Sequence, residues 1–184
     1  MSPEVTAKRM ELLKEVVPVM TRVAVLRNPT SPGRETLWAE TTAAARALGL
    51  RLQALDITEG GQIDGLFEAA VRERADGLVV IRDPLTNTLR PRIIALTVRH
   101  RLPAMYATRE FVDAGGLMVY GANVYDLYRR TANYVDRILK GARPGDLPVE
   151  RAQRLELVVN LKAARAIRLT IPHSLLLRAD QLIE

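Results

Sequence analysis

Hydrophobic positions change their spacing repeatedly along the chain, which predicts strands that alternate with helices. Apolar runs and alternations typical of strands occur at 23–26, 51–57, 77–81, 103–107, 117–120 and 155–159. Helical spacing occurs over the N-terminal residues and at 31–48, 62–74, 91–101 and 123–140, with a single turn at 108–116 and short helices from 160 to 183. This alternation predicts right-handed βαβ units and an α/β fold with a mostly parallel sheet flanked by helices.

The segment GLVVI at 77–81 has no polar position. An uninterrupted apolar run of this length indicates a strand that is buried on both faces, as in a parallel sheet covered by two helical layers. Gly49 and Pro91 support the neighbouring boundaries, because glycine commonly ends a helix and proline fits best in a first turn.

The amino-acid composition favours a globular domain over a protein that binds nucleic acid. The chain has 184 residues, of which 48% are hydrophobic and 26% charged, which suits one globular domain with a real core. Aromatic residues make up 4%, too few for a groove that stacks single-stranded bases. The net charge of +6 is spread over several helices, which favours a mildly basic protein over one that binds nucleic acid.

Catalytic and metal chemistry have little support. The chain has no cysteine, and His100 and His173 lack the spacing of a metal site or a triad. No phosphate-binding glycine motif follows the first strand. Asp56 and Asp83 are expected to end neighbouring strands, as the acids of a phosphoacceptor receiver do, but the late strand at 104–108 lacks the lysine of such a site. We therefore expect no cofactor, no metal and no enzymatic activity.

Polar segments follow four predicted strands. These segments are 28–31, 56–61, 82–88 and 108–110. Ligands of parallel sheets bind beyond the carboxyl ends of the strands, so the four segments should converge on an edge suited to a small polar or zwitterionic ligand. The alternative stays open that each residue only caps the following helix, which is the usual role of Asn, Asp, Ser and Thr there.

Several segments taken in order resemble one protein family. They are KRMELLKEVVP, RVAVLRNP, ARALGLRLQALDI, RADGLVVIRDP, RLPAMYATREFVDAGGLMVYG, YVDRILKGARPGDLPVE and RLELVVNLKAARAIRLTIPHSLLLRADQLIE. From about Lys8 to Glu184 the chain resembles the substrate-binding proteins of bacterial ABC importers, a family that includes tryptophan- and tyrosine-type binders.

The resemblance implies a type I periplasmic-binding-protein fold, in which two lobes close on a ligand. Each lobe is a flavodoxin-like three-layer sandwich, and this chain corresponds to the C-terminal one. Residues 1–121 and 149–184 would form that lobe, and 122–148 would be a helix and connection that pack on the N-terminal lobe. The family is periplasmic or lipid-anchored outside the cytoplasm, whereas the chain as written lacks the apolar run of a signal peptide.

The resemblance also implies which residues contact the ligand. The candidate ligand-binding residues are Asn28, Thr30, Asp83, Thr86, Asn87, Thr108, Arg109 and Glu110. Asp83 or Glu110 would accept hydrogen bonds from an ammonium or hydroxyl group, and Arg109 would pair with a carboxylate. Asn28, Thr30 and Asn87 would orient the ligand through amide and hydroxyl groups.

The predicted helix at 123–140 has an apolar face that would lose its partner without the first lobe. The face consists of Val124, Leu127, Tyr128, Thr131, Tyr134, Val135, Ile138 and Leu139. Because an exposed apolar face of this kind favours association, we expect the helix to fold back on its own domain or to pair with a second copy in a homodimer.

These observations predict the C-terminal lobe of a solute-binding component of an ABC importer, which captures a small polar or amino-acid-like ligand without catalysis. Its partners would be that ligand and, in the full-length protein, the transporter permease, with no nucleic acid. The alternative is the effector-sensing domain of a transcription regulator with the same lobe fold. A regulator would need a helix-turn-helix before residue 23, where the sequence does not show one.

Overall fold

The described residues, 3–148 and 155–184 (without the side chains of 3 and 124–127), fold around one sheet in a computed structural model. The strands are β1 Arg22–Arg27, β2 Arg51–Asp56, β3 Gly77–Val80, β4 Ala104–Tyr106, β5 Met118–Ala122, β6 Leu155–Asn160 and β7 Gln181–Ile183. Their order across the sheet is β2-β1-β3-β4-β5-β6-β7. β1 to β5 are parallel, β6 is antiparallel to β5, and β7 is parallel to β6. The predicted α/β fold with a mostly parallel sheet is confirmed.

Helices cover both faces of the sheet. The helices are α1 Pro3–Val16, α2 Arg34–Ala47, α3 Ile63–Arg72, α4 Pro84–Thr88, α5 Arg90–Arg99, α6 Arg109–Asp113, α7 Val124–Leu139, α8 Leu161–Ala166 and α9 His173–Leu176. α1, α2, α8 and α9 pack on one face, and α3, α5 and α6 pack on the other. The apolar side chains on the α1 face form a first core, and those on the α3 face form a second core. Along β1, Val23 and Val25 point into the first core, and Ala24 and Leu26 point into the second.

Three boundaries differ from the sequence prediction for local reasons. α2 begins at Arg34 rather than Ser31, because Gly33 adopts a left-handed φ of 72° directly before it. A short helix, α4, precedes α5, because the Asp83 carboxylate caps it. Residues 181–183, predicted within a helical region, form β7 beside β6.

The acids Asp56 and Asp83 do not end neighbouring strands. β1 lies between β2 and β3 in the sheet, so the prediction that placed the two carboxylates on adjacent strands is wrong. Asp56 instead pairs with Arg27 across β1 and β2, where the Arg27 Nε to Asp56 Oδ1 distance is 2.6 Å. The receiver-like alternative loses its geometric basis.

Several apolar side chains of α7 are exposed to solvent. Tyr128, Val135 and Leu139 are 71%, 50% and 82% exposed. These apolar side chains are therefore not buried against the lobe, while Val124 and Leu127 lie outside the described side chains. No helix in residues 3–148 or 155–184 has the length and apolar character that a membrane crossing requires.

Gly116, in the turn that leads into β5, tests how tightly the second core is packed. A Cβ atom there would lie 2.6 Å from Cε2 of Tyr106 and 2.8 Å from the carbonyl oxygen of Phe111. We expect Gly116→Ala to lower the free energy of unfolding by about 1–3 kcal/mol, because the fully buried ring and the backbone both have to move. Urea denaturation measures this change.

The matched control is Gly65→Ala, within α3, where a Cβ meets nothing within 4 Å. Alanine favours a helix, so this substitution should raise stability by about 0.5–1 kcal/mol. Equal stability changes in the two variants would contradict the close packing at Gly116.

Candidate functional site

The polar segments that follow β1, β2, β3 and β4 lie at one edge of the sheet. These four strands are parallel, so their carboxyl ends point in the same direction. We use the term strand-end edge for this side, formed by residues 28–31, 56–61, 82–88 and 108–110. Parallel sheets bind ligands at such an edge, which makes it the candidate functional site.

Asp83 joins the segment after β1 to the segment after β3. Its carboxylate accepts hydrogen bonds from the Ser31 hydroxyl, from Asn28 Nδ2 at 3.2 Å and from the backbone N–H of Leu85 at 2.8 Å. Asn28 Oδ1 accepts from the backbone N–H of Thr30 at 2.9 Å and from its hydroxyl at 2.7 Å. The two segments therefore form one hydrogen-bonded unit.

The environment of Asp83 stabilises its charged form. Burial alone would raise its pKa, but hydrogen bonds from Ser31, Leu85 and Asn28 outweigh burial and lower the pKa below its usual value. Asp83 is only 6% exposed, and its lone pairs are largely used within the lobe. It holds the edge in shape, and a ligand ammonium would have to compete with these donors.

Thr86 and Thr108 are turned away from solvent. Thr86 is 0% exposed, and its hydroxyl lies 3.0 Å from the carbonyl oxygen of Ile81 and 3.1 Å from the backbone nitrogen of Asp83. Thr108 is 5% exposed. Both side chains are thus placed outside the surface that a ligand reaches in this structure.

The Arg109 guanidinium contacts side chains on β6 and β7. Its Nη2 donates to Oε1 of Gln181 at 2.6 Å, and its guanidinium lies 3.4 Å from Asp113 and 3.6 Å from Glu156. A ligand carboxylate would therefore have to displace existing partners of Arg109.

Thr30 and Asn87 retain polar groups that solvent reaches. Thr30 is exposed, and Asn87 is half-buried with no hydrogen bond to its side-chain amide among the described residues. Oε2 of Glu110 and Oγ1 of Thr108 have no hydrogen-bond partner among them, but both atoms are buried. The side chains of Thr30 and Asn87 are therefore the ones that the edge offers for hydrogen bonds to a small polar molecule.

Sequence reasoning missed Arg9 and Glu156, two buried charges at the same edge. Arg9 is 6% exposed and donates from Nε to the carbonyl oxygen of Tyr120 at 2.7 Å, and burial lowers its pKa to about 10. Glu156 is also 6% exposed and accepts from Asn123 Nδ2 at 2.8 Å. For both residues, the sequence signal that could have indicated a buried charge was a charged residue within an otherwise apolar helix face or strand.

The edge is open rather than enclosed. A cavity beside Arg9, between α1 and α2, has a volume of about 10 Å³, which is space for one water molecule. A groove of about 420 Å³ lies elsewhere, lined by residues that include Trp38, Arg46 and Leu52. No cluster of three or more metal-ligating side chains occurs in the described parts of the chain. The edge can donate and accept hydrogen bonds, but it surrounds a ligand on one side only.

Comparison with known proteins finds relatives of this chain among substrate-binding proteins. The family model described as ABC transporter substrate binding protein matches residues 3–183. A conserved domain protein from Vibrio cholerae is 26% identical with a TM-score of 0.86, and the match covers 96% of this chain and 60% of that one. An ABC domain from Streptococcus pneumoniae, solved in complex with L-Trp, is 25% identical with a TM-score of 0.84, covering 97% and 62%. No curated protein matches the chain.

A third solved structure shares the fold. It is the ligand-free, open form of a substrate-binding protein with adhesive properties from Clostridium difficile, 22% identical with a TM-score of 0.73, and the match covers 96% of this chain and 59% of that one. The chain thus spans about 60% of the length of these three structures.

The hydrogen bonds of Asp83 generate a pH-dependent prediction. Because the pKa of Asp83 is lowered on folding, its carboxylate contributes stability above its unfolded pKa of about 3.9, and this contribution is lost as the pH falls through the folded pKa. We expect Asp83→Asn to lower the free energy of unfolding at pH 7 by about 1–3 kcal/mol, since buried donors lose a charged acceptor. The difference from the unsubstituted chain should shrink as the pH falls below about 4.

Asp56→Asn is the matched control at the same edge. The Asp56 side chain is 46% exposed and pairs with Arg27, so its loss should cost less than about 1 kcal/mol. Urea denaturation across a pH series distinguishes the two, and a cost for Asp83→Asn that does not change between pH 7 and pH 3 would contradict the prediction.

Proposed function

Because the chain belongs to the family of ABC transporter substrate-binding proteins, we propose that it forms the C-terminal lobe of the solute-binding component of a bacterial ABC importer. The observation that supports this most is the strand-end edge, where parallel strands present polar groups to one side of the lobe. A match to a substrate-binding family, rather than to regulators, favours transport over the sensing of an effector.

We assign residues 1–121 and 149–184 to the lobe and residues 122–148 to the segment that would pack on an N-terminal lobe. The exposure of the described α7 side chains supports this division, because an amphipathic helix normally buries its apolar face. The complete protein would act outside the cytoplasm, in the periplasm or on a lipid anchor, and deliver its ligand to the transporter permease.

The proposed ligand is small and polar, of the amino-acid type. The related domain from Streptococcus pneumoniae was solved with L-Trp, which is consistent with this class. Thr30 and Asn87 would contact the ligand directly, since solvent reaches their side chains. Glu110 is half-buried, and its unpaired Oε2 would have to become accessible before it could accept a hydrogen bond from the ligand. Asn28 and Asp83 would hold the edge, and Arg109 would act only if a ligand carboxylate displaced its internal partners.

Capture would proceed without chemistry on the ligand. In a two-lobed binder, the closed form is favoured by contacts that the ligand makes with both lobes at once. One lobe supplies part of those contacts, so the affinity of this chain alone should be weak.

We therefore predict that this chain binds L-tryptophan or another free amino acid with a dissociation constant weaker than about 1 μM, because half of the closed-form contacts are missing. Isothermal titration calorimetry measures the affinity, and backbone amide shifts in NMR locate the site. The shifts should map to residues 28–31, 84–88 and 108–110.

Asn87→Ala should remove these shifts, whereas Asn133→Ala, on exposed α7, should leave them unchanged. Binding at micromolar affinity or tighter would refute the prediction of a weak single lobe. Shifts confined to the groove at Trp38 would place the site elsewhere, and the absence of shifts with every free amino acid at millimolar concentration would refute the amino-acid class.

The exposed face of α7 supports a second proposal, a homodimer of this chain. Tyr128, Val135 and Leu139 lie at i, i+7 and i+11, so they form one stripe along the helix. Pairing two such stripes around a twofold axis would bury them in the absence of another lobe.

The dimer prediction is tested by sedimentation equilibrium. We expect a dimer for the unsubstituted chain and about a tenfold or greater weakening of association in Val135→Lys combined with Leu139→Lys, because charges would replace buried apolar groups. Asn133→Lys, on the other side of α7, is the charge control and should stay dimeric. A folded monomer with the α7 stripe fully solvated would contradict the proposal.

A further inference from the structure

The chain leaves the lobe and returns to it through two adjacent antiparallel strands. β5 ends at Ala122, directly before α7, and β6 begins at Leu155. Ala122 pairs with Leu155, and Gly121 pairs with Glu156. We call residues 120–123 and 155–156 the crossing point, because both connections to the 122–148 segment pass through it.

Glu156 joins four elements at the crossing point. Its Oε2 accepts from Nδ2 of Asn123 at 2.8 Å, which ties the departing strand to the returning one. Its Oε1 lies 3.6 Å from Nη1 of Arg109, at the start of α6, and Arg109 in turn donates to Gln181 of β7 at 2.6 Å. Glu156 is only 6% exposed and its Oε1 makes no hydrogen bond among the described residues, so the nearby Arg109 guanidinium, rather than water, faces that oxygen.

Arg9 holds the crossing point from the opposite helical layer. It extends from α1 and donates from Nε to the carbonyl oxygen of Tyr120 at 2.7 Å and from Nη2 to that of Ala107 at 3.4 Å. These carbonyls belong to the end of β5 and the residue after β4. One buried cation thus ties the departing strand to its parallel neighbour.

Gly121 shows how closely these groups approach. A Cβ atom at this position would lie 2.7 Å from the carbonyl oxygen of Ala107 and 3.3 Å from Nη2 of Arg9. The first distance is shorter than a Cβ atom tolerates, and the atom it approaches belongs to the backbone. The strand can therefore follow this path only if residue 121 is a glycine. The arrangement leaves little freedom before residue 123.

From these contacts we propose that Arg9 and Glu156 are positioning residues that hold the crossing point rigid and fix the direction in which the 122–148 segment leaves the lobe. Two buried charges make charge-assisted hydrogen bonds within this small region, and such networks rigidify the groups that they join. Tyr128, Val135 and Leu139 of α7 beyond it are exposed, so these apolar side chains do not hold the helix against the lobe. The functional consequence of this inference rests on the proposed function, because the direction of α7 would set how a second lobe faces the strand-end edge.

A pair of spin labels measures the direction of α7 without any ligand. The chain has no cysteine, so Asn133→Cys on α7 and Ala43→Cys on α2, both exposed, give a clean labelling pair. Double electron–electron resonance on labelled chain, diluted with unlabelled chain so that a dimer holds one labelled copy, reports the distance distribution. We expect a single narrow distribution in the unsubstituted background.

Glu156→Ala and Arg9→Met should each broaden this distribution about twofold or shift its mean, because the polar groups bound by the removed charge lose their partner and the crossing point opens locally. Glu156→Gln should have a smaller effect, since its amide oxygen can still accept from Asn123. Asp64→Asn is the control. It removes a surface ion pair between Asp64 on α3 and Arg92 on α5, and it should leave the distance distribution unchanged.

Hydrogen exchange provides the second measurement. Amides of residues 118–123 and 155–160 should exchange about tenfold faster in Glu156→Ala, the factor expected when one such hydrogen bond is lost, while amides of β1 keep their protection. An unchanged distance distribution and unchanged exchange in folded Glu156→Ala and Arg9→Met would overturn the proposal. Because no ligand is used, that result is distinct from a failure of the amino-acid titration.

Discussion

The parallel pairing of β1 with both β2 and β3 is the constraint on which the strand-end edge depends. Each backbone pair in register, such as Leu26 with Leu55 on one side and with Val80 on the other, directs the following residue toward the same edge. Polar residues that are far apart in the sequence thereby meet, as Asn28 and Asp83 do across 55 positions. The two apolar layers that cover the sheet make this pairing stable, because both faces of β1 and β3 are excluded from water.

Polar groups at this edge divide into those that maintain its shape and those that remain open to a partner. Asp83 and Thr86 belong to the first kind, since each satisfies several backbone or side-chain groups of the neighbouring turn. Asn87 and Thr30 belong to the second kind. A binding edge requires both, because a hydrogen-bonding group recognises a ligand well only if its own position is fixed before the ligand arrives.

Much of the fold was predictable from the sequence because local pattern and tertiary burial agree. The uninterrupted run at β3 and the helical spacing of α3 each place apolar groups where the sheet needs them. β7 was missed because Gln181, Leu182 and Ile183 form too short a run to show a period, and its pairing with β6 decides its conformation. The start of α2 was missed because Gly33 adopts a left-handed conformation, which residue type permits but does not require.

The candidate site was less predictable, for a different physical reason. The sequence shows that Arg109 is a cation near a strand end. It does not show that Glu156 and Gln181, which lie on β6 and β7 much later in the chain, will bind its guanidinium. Residue type and spacing specify the neighbours along the chain, whereas the charge partners of a buried group are set by the order of strands in the sheet. The order β4-β5-β6-β7 brings α6 and the returning strands together, so a residue expected to face a ligand instead joins the contacts around the crossing point. Any anion that bound Arg109 would therefore have to compete with Glu156.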